Sequence, residues 1–184
     1  GLASPPKYWD EFLTLPEVLT KKSENGDIKQ SAVALGEYSN ITNAKAIISA
    51  LLMQSGSFPT GRDAEGRLSN KMSTAVLTNV LDFYTEFSNP VKKVHSWSRS
   101  FPDSLTAFAN GDVGVYFGLA SDLWRIRAIN PNLDFDLTYF PIPRQTKVNV
   151  TYGEVLGVAT LRASRNPSSA MRAALLLGSE KGVS

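Results

Sequence analysis

The stretch AFANGDVGVYFGLASDLW, residues 107–124, predicts a strand, a tight turn and a helix in immediate succession, which favours an α/β fold. Its apolar residues lie between Gly111 and Gly118, which is typical of a short buried strand that ends in a turn. Ser121 and Asp122 follow where a helix N-cap or a first-turn acid belongs. Free backbone N–H groups at such a corner need partners, so the corner is a candidate ligand site, although many such junctions are purely structural.

The composition is that of an ordinary globular protein. The chain has 184 residues, 42% of them hydrophobic and 20% charged, with a net charge of +2. This length accommodates one domain with a sizeable core, and the near-neutral charge gives no indication of a nucleic-acid partner. The absence of cysteine excludes disulfides, thiolate metal sites and cysteine nucleophiles. No apolar run is long enough to span a membrane, and no signal peptide stands at the amino terminus.

Hydrophobic periodicity along the chain predicts alternating strands and helices. Strands are predicted at residues 31–35, 113–117, 135–140 and 155–160. Helices are predicted from Tyr8, at 44–54, from 69–70 to Pro90, at 103–109, after Ser121 and at 168–177, with a loop or hairpin at 57–68. In the first helix, Trp9, Phe12 and Leu13 are expected to point inward. Together these elements predict a single α/β domain, residues 1–184, with a small mixed sheet flanked by helices.

Two segments resemble the type 2 extracellular solute-binding proteins of ABC importers, the family of maltodextrin-binding and related sugar-binding proteins. They are PPKYWDEF, residues 5–12, and the stretch 107–124. The positions in the second segment that match the family's pattern are Phe108, Gly111, Val115 and Gly118. Ala120 stands where many members have a stacking tryptophan, and Trp124 lies one helical turn further on. Further similar segments follow in the family's order, so that the resemblance extends from Pro5 to Gly182.

The resemblance implies a periplasmic-binding-protein type 2 fold, of which this chain is the carboxy-terminal-side lobe. The amino-terminal lobe and the final helices are expected to be absent, so that the chain alone should bind solute weakly. The implied function is extracytoplasmic capture of a sugar or oligosaccharide for the membrane permease of an ABC importer. The resemblance implies a monomer without cofactor, in the periplasm or anchored by lipid at the outer face of the membrane, its signal sequence missing here.

The resemblance also places three corners of the lobe at a solute cleft. The candidate ligand-binding residues are Tyr38, Asn40, Asn43, Gly118, Ala120, Ser121, Trp124, Tyr152, Gly153 and Glu154. Asparagine amides both donate and accept hydrogen bonds, which suits sugar hydroxyls, but either asparagine could instead cap the helix at 44–54. Tyrosine and tryptophan faces can cover a sugar ring, although core packing is the commoner role for each, as it is for Trp97. Glu154 lies in an apolar segment and therefore needs a partner, a strand end or a wet cleft rim, of which we favour the rim.

The sequence shows no signature of an enzyme. It contains no phosphate loop, dinucleotide-binding glycine motif, nucleophile elbow or HExxH motif, and one histidine cannot build a multi-histidine metal centre. The acid pairs Asp10–Glu11 and Asp134–Asp136 are better explained as solvated than as catalytic. Two alternatives to solute binding stay open: a stand-alone protein-interaction lobe without ligand, and, with less support, a carbohydrate-active enzyme.

Overall fold

The computed structural model describes residues 4–153 and 157–179. The chain divides into two compact units, Gly1–Tyr152 and Gly153–Ser184. In the first unit a 3₁₀ helix, Trp9–Leu13, precedes α1 Leu15–Leu19, β1 Lys21–Lys22, β2 Ile28–Val33, α2 Ala44–Gln54, β3 Thr60–Arg62, β4 Leu68–Asn70, α3 Thr74–Glu86, α4 Ser104–Ala109, β5 Val113–Val115 and α5 Asp122–Ile129. The second unit contains α6, Pro167–Leu177.

The central sheet is mixed, as predicted. β1 runs antiparallel to β2, and β2 runs parallel to β5, with Ser31 opposite Val113. The carboxyl-terminal half of β2 is buried, as expected of a strand with neighbours on both sides and helices over its faces. The strands predicted at 31–35 and 113–117 are therefore confirmed, with slightly different ends. A separate hairpin of β3 and β4 fills the predicted loop or hairpin, and the α/β class is confirmed.

The strand predicted at 135–140 is wrong. The segment is irregular: Phe135 and Phe140 anchor its two ends in aromatic clusters, and no strand among the described residues pairs with the residues between them. Leu137 and Tyr139 are consequently exposed. Of the strand predicted at 155–160, residues 157–160 are irregular too, and the others lie outside the described residues. Alternating apolar and polar residues are compatible with a strand, but the backbone N–H and C=O groups of a strand also need a neighbouring strand to bond with.

Aromatic side chains from distant parts of the first unit pack together within its core. The ring of Trp9 lies 5.5 Å from that of Phe117 and 5.3 Å from that of Phe140, and Phe12 packs 5.5 Å from Phe117. Trp9 and Phe12 point inward as predicted, whereas Leu13 is exposed because the 3₁₀ helix turns it away from this cluster. Such aromatic pairs bury large apolar areas and hold the start of the chain against the sheet.

A buried glutamine ties further segments to this core. Gln54, the last residue of α2, accepts a hydrogen bond at Oε1 from the indole N–H of Trp9 at 2.7 Å. Its Nε2 donates to the carbonyl oxygens of Pro141 at 2.9 Å and Val150 at 2.8 Å. All the polar atoms of this buried side chain are therefore paired, which a buried amide requires.

The helix bounds agree with the sequence in most cases. α2 and α6 occupy the predicted ranges, to within one residue for α6, and α4 begins after Asp103, whose carboxylate accepts from the N–H of Thr106 at 3.1 Å. α3 begins at Thr74 rather than at 69–70, because those two residues belong to β4. The N-cap of α3 is Ser73, whose hydroxyl accepts from the N–H of Val76. No helix among residues 4–153 and 157–179 is long and apolar enough to cross a membrane.

Candidate functional site

Two of the predicted corners lie at the same edge of the central sheet. β2 and β5 are parallel neighbours, so their carboxyl ends point the same way, and each leads into a helix: residues 34–43 connect β2 to α2, and residues 116–121 connect β5 to α5. In α/β proteins this edge, outside the carboxyl ends of parallel strands, is where ligands commonly bind. The loops 34–43 and 116–121, which contain the candidates Tyr38 and Ala120, therefore both begin at this edge.

The side chain of Asn43 joins the two loops. Asn43 occupies the N-cap position of α2, but its side chain makes no capping bond. Instead Nδ2 lies 3.0 Å from the hydroxyl of Tyr116, 3.2 Å from the carbonyl oxygen of Phe117 and 3.1 Å from Oδ2 of Asp122. The capping role left open for Asn43 is therefore not its role in the structure.

One carboxylate oxygen of Asp122, Oδ2, accepts three hydrogen bonds. In addition to Asn43, the hydroxyl of Tyr116 donates to Oδ2 at 2.8 Å and the backbone N–H of Leu119 donates at 3.0 Å. Because Asp122 is the first residue of α5, its negative charge also lies where the helix dipole stabilises an anion. Burial, and next the hydrogen bond to Asp122, raise the pKa of the Tyr116 phenol above its ordinary value, so that it stays a donor.

Gly118 leaves the space that this network needs. A Cβ atom at Gly118 would lie 2.5 Å from Cε1 of Tyr116 and 3.1 Å from Oδ2 of Asp122. The first distance is far below van der Waals contact, so a larger residue would displace the tyrosine ring. The glycine is thus explained by close approach of neighbouring side chains rather than by an unusual backbone angle.

The side chain of Asn40 holds the loop 34–43 against residues 97–101. Its Oδ1 accepts from the indole N–H of Trp97 at 3.0 Å, and its Nδ2 donates to the carbonyl oxygens of Ser98 at 3.0 Å and Phe101 at 3.1 Å. Trp97 is fully buried and stacks on Phe101 at 4.7 Å. Core packing is therefore the role of Trp97, and the amide of Asn40 is directed at protein groups rather than capping α2.

Tyr38 and Trp124 are the exposed aromatic side chains of this edge. Tyr38 is 66% exposed and Trp124 is 77% exposed, so core packing, the commoner role, is wrong for both. Ala120 and Ser121, which precede Trp124, are exposed as well. We use the name edge surface for these four exposed residues of the two loops and the first turn of α5: Tyr38, Ala120, Ser121 and Trp124.

The third predicted corner is described only in part. Tyr152 is half-buried in the first unit, and Gly153, at the start of the second, is exposed, with open space where a Cβ atom would lie. Glu154 lies outside the described residues. The roles of these three residues at a solute site stay predictions.

The sequence did not indicate the role of Tyr116 or of Asp122. Tyr116 had the pattern of a buried strand residue, and Asp122 that of an ordinary first-turn acid. The available signal was the close spacing of a hydroxyl, a glycine and an acid, with Gly118 between Tyr116 and Asp122. Their partner Asn43 lies 79 residues from Asp122, and no local pattern points to it.

The acid pair Asp10–Glu11 has a structural role. Nε of Arg144 lies 2.8 Å from Oδ2 of Asp10, its Nη2 lies 2.9 Å from Oε1 of Glu11, and its guanidinium group stacks over Tyr8 at 4.1 Å. The pair thus holds residues 142–144 against the start of the chain, beside a backbone bridge between Tyr8 and Ile142. In the described part of the chain, no group of three acidic or histidine residues is arranged to hold a metal ion.

Comparison with known proteins decides the family. The family model described as "Bacterial extracellular solute-binding protein" matches residues 1–182. The chain belongs to this family. Searches of curated proteins and of solved structures find no significant match.

Bacterial extracellular solute-binding proteins bind a solute outside the cytoplasm and work with an ABC importer, and the family is generally not enzymatic. The fold described above, a small mixed sheet flanked by helices, is consistent with one lobe of such a protein. For this solute-binding protein the edge surface is accordingly the first candidate for the place where the solute binds.

Proposed function

We propose that this solute-binding protein takes a sugar or oligosaccharide and that the edge surface forms part of the binding site. The observation that carries the proposal is the exposure of Tyr38 and Trp124 at the carboxyl edge of the sheet, while Trp9 and Trp97 are buried. A flat aromatic ring can cover the apolar face of a sugar. An aromatic side chain that stays exposed in the free protein has not used its apolar face for core packing, so this face is available to a ligand. Trp124 takes the role that the tryptophan missing at position 120 has in many relatives.

The charges at this edge favour an uncharged solute. The N-terminal turn of a helix attracts anions, but at α5 the carboxylate of Asp122 already occupies that position. The backbone N–H groups of Asp122 and Leu123 bond back to the carbonyl oxygens of Leu119 and Ala120. An anionic solute would meet a like charge there, whereas a polyhydroxyl solute needs only local donors and acceptors.

We also propose how solute binding is coupled to transport. The edge surface is one wall of a cleft that a second lobe closes, and hinge closure is the state that the permease recognises. One wall makes a fraction of the contacts and excludes less water, so this lobe alone binds weakly. The protein acts as a monomer in the periplasm or under a lipid anchor at the outer face of the membrane.

Isothermal titration of the complete gene product with a panel of mono-, di- and oligosaccharides tests the proposal. We expect one saccharide to bind, and Trp124→Ala to weaken it by about 2 kcal/mol, roughly thirtyfold, the cost of a central aromatic contact. Tyr139→Ala is the matched control, because Tyr139 is an exposed aromatic residue outside both loops. The affinity of this variant for the saccharide should equal that of the wild type. Folded protein that binds none of the saccharides, or binds them equally well without Trp124, would contradict the proposal.

A further inference from the structure

One buried carboxylate connects the two loops of the candidate site. Oδ2 of Asp122 accepts from its own loop, through Leu119 and Tyr116, and from the other loop, through the amide of Asn43. The Asp122 side chain is only 8% exposed. The contact therefore links the N-terminus of α2 to the N-terminus of α5 across the gap between the loops.

We propose that Asp122 is a positioning residue: through Asn43 it fixes the spacing between the loop that carries Tyr38 and the first turn of α5, which carries Trp124. Trp124 lies two residues after Asp122, and Tyr38 lies five residues before Asn43. The role in solute binding rests on the function proposed above, whereas the link between the loops does not.

The geometry explains why a carboxylate serves here. Burying a charge is unfavourable unless it is hydrogen-bonded, and this one has three donors together with the amino-terminal end of α5. Bonds to an ionised acceptor are about twice as strong as neutral ones. Without that acceptor, the N–H of Leu119 and the hydroxyl of Tyr116 lose their common partner, and the amide of Asn43 keeps weaker neutral contacts.

The exposed neighbour of Asp122 supplies a matched control. Nη1 of Arg125 lies 3.5 Å from Oδ1 of Asp122, and the arginine side chain is 61% exposed. Such a pair contributes little, because water and salt screen it. Arg125→Ala therefore changes the charge beside Asp122 and leaves the donors on Oδ2 in place.

Amide hydrogen exchange tests the link without any ligand. In Asp122→Ala we expect the amides of residues 36–46, in the opposite loop and the first turn of α2, to exchange about tenfold faster or more, as loss of a hydrogen bond to a charged group implies. Tyr116→Phe removes one hydroxyl and keeps the ring, so it should give a smaller increase in the same residues and serves if Asp122→Ala does not fold. Arg125→Ala should exchange like the wild type. The proposal would be overturned if the faster exchange in Asp122→Ala and in Tyr116→Phe were confined to residues 116–124.

Titration of the complete gene product separates this inference from the proposed function. With the saccharide that binds best to the wild type, Asp122→Ala should bind about tenfold more weakly or worse although Tyr38 and Trp124 are intact, and Asp122→Asn, which keeps an acceptor oxygen, should recover part of the loss. Unchanged affinity in Asp122→Ala would overturn the positioning role. If the wild type binds no saccharide, the proposed function fails, and the exchange experiment still decides whether Asp122 links the loops.

Discussion

Replacing Asn40 by alanine should destabilise the fold strongly, although the residue lies in a loop. The substitution removes the acceptor of the Trp97 indole N–H and the donor that serves the carbonyl oxygens of Ser98 and Phe101. Trp97 is fully buried, so its N–H cannot turn to bulk water. Asn40→Ala thus leaves three protein groups without their partner.

The magnitude follows from these groups. A buried donor left without a partner costs about 1–3 kcal/mol, and a neutral hydrogen bond contributes about 1 kcal/mol. Partial access of water to the two carbonyl oxygens reduces their share, so we expect the free energy of unfolding to fall by about 3 kcal/mol. For a chain of this length each kcal/mol lowers the melting temperature by about 2–4 °C, which gives a decrease of roughly 6–12 °C.

Urea unfolding followed by circular dichroism measures the effect. Asn40→Asp is an informative second variant. It keeps an acceptor for the Trp97 N–H but replaces the amide donor with an oxygen, which cannot donate to the carbonyl oxygens of Ser98 and Phe101. This variant should therefore be destabilised as well. Asn132→Ala, at an exposed turn, is the control and should change stability by less than about 0.5 kcal/mol. A loss below about 1 kcal/mol in Asn40→Ala, with the same cooperativity, would refute the structural role assigned to Asn40.

Two further predictions concern close packing and pH. Gly118→Ala should cost about 1–3 kcal/mol in urea unfolding, because its Cβ would lie 2.5 Å from the Tyr116 ring; a loss under about 0.5 kcal/mol would contradict this. The backbone N–H of Lys7 bonds to Glu11 and lowers the pKa of that carboxyl below its ordinary value of 4.5, so ionised Glu11 stabilises the fold above that pH, and this contribution is lost as the pH falls. Melting temperatures from pH 6 to pH 3 should therefore decline less steeply in Glu11→Gln than in the wild type, and parallel curves would count against the prediction.

The elements that the sequence predicted well are those fixed by local pattern. α2 coincides with its predicted range because Ile47 and Leu51 repeat at helical spacing and a glycine ends the helix, at Gly56 with a positive φ of 75°. The start of α4 followed from Asp103, a short-range cap. In such cases the interactions that define the element lie within a few residues of each other.

The errors arose where the deciding partner is distant in sequence. The segment 135–140 alternates like a strand, but whether it pairs depends on a neighbouring strand, and its ends are held instead by rings such as Phe108 and Trp9. The amide of Asn43 had the local pattern of a helix cap, yet a tyrosine and an aspartate more than 70 residues away bind it. Tertiary contacts of this kind override local preference.

Exposure of the site aromatics was beyond sequence reasoning for the same reason. Trp97 stands among polar residues in the sequence and Trp124 beside Leu123, yet the fold buries the first and exposes the second. The edge to which Trp124 belongs could be expected once two strands were taken as parallel neighbours, because their carboxyl ends then coincide.

We propose that the loop before α2 and the loop and first turn of α5 form one solute-binding surface. Nuclear Overhauser effects between a titrated saccharide and the protein test it most directly, because they are observed between protons less than about 5 Å apart, on the scale of a packing contact. We expect cross-peaks from sugar C–H protons to the ring protons of both Tyr38 and Trp124. Cross-peaks to neither ring from a saccharide that binds would contradict it.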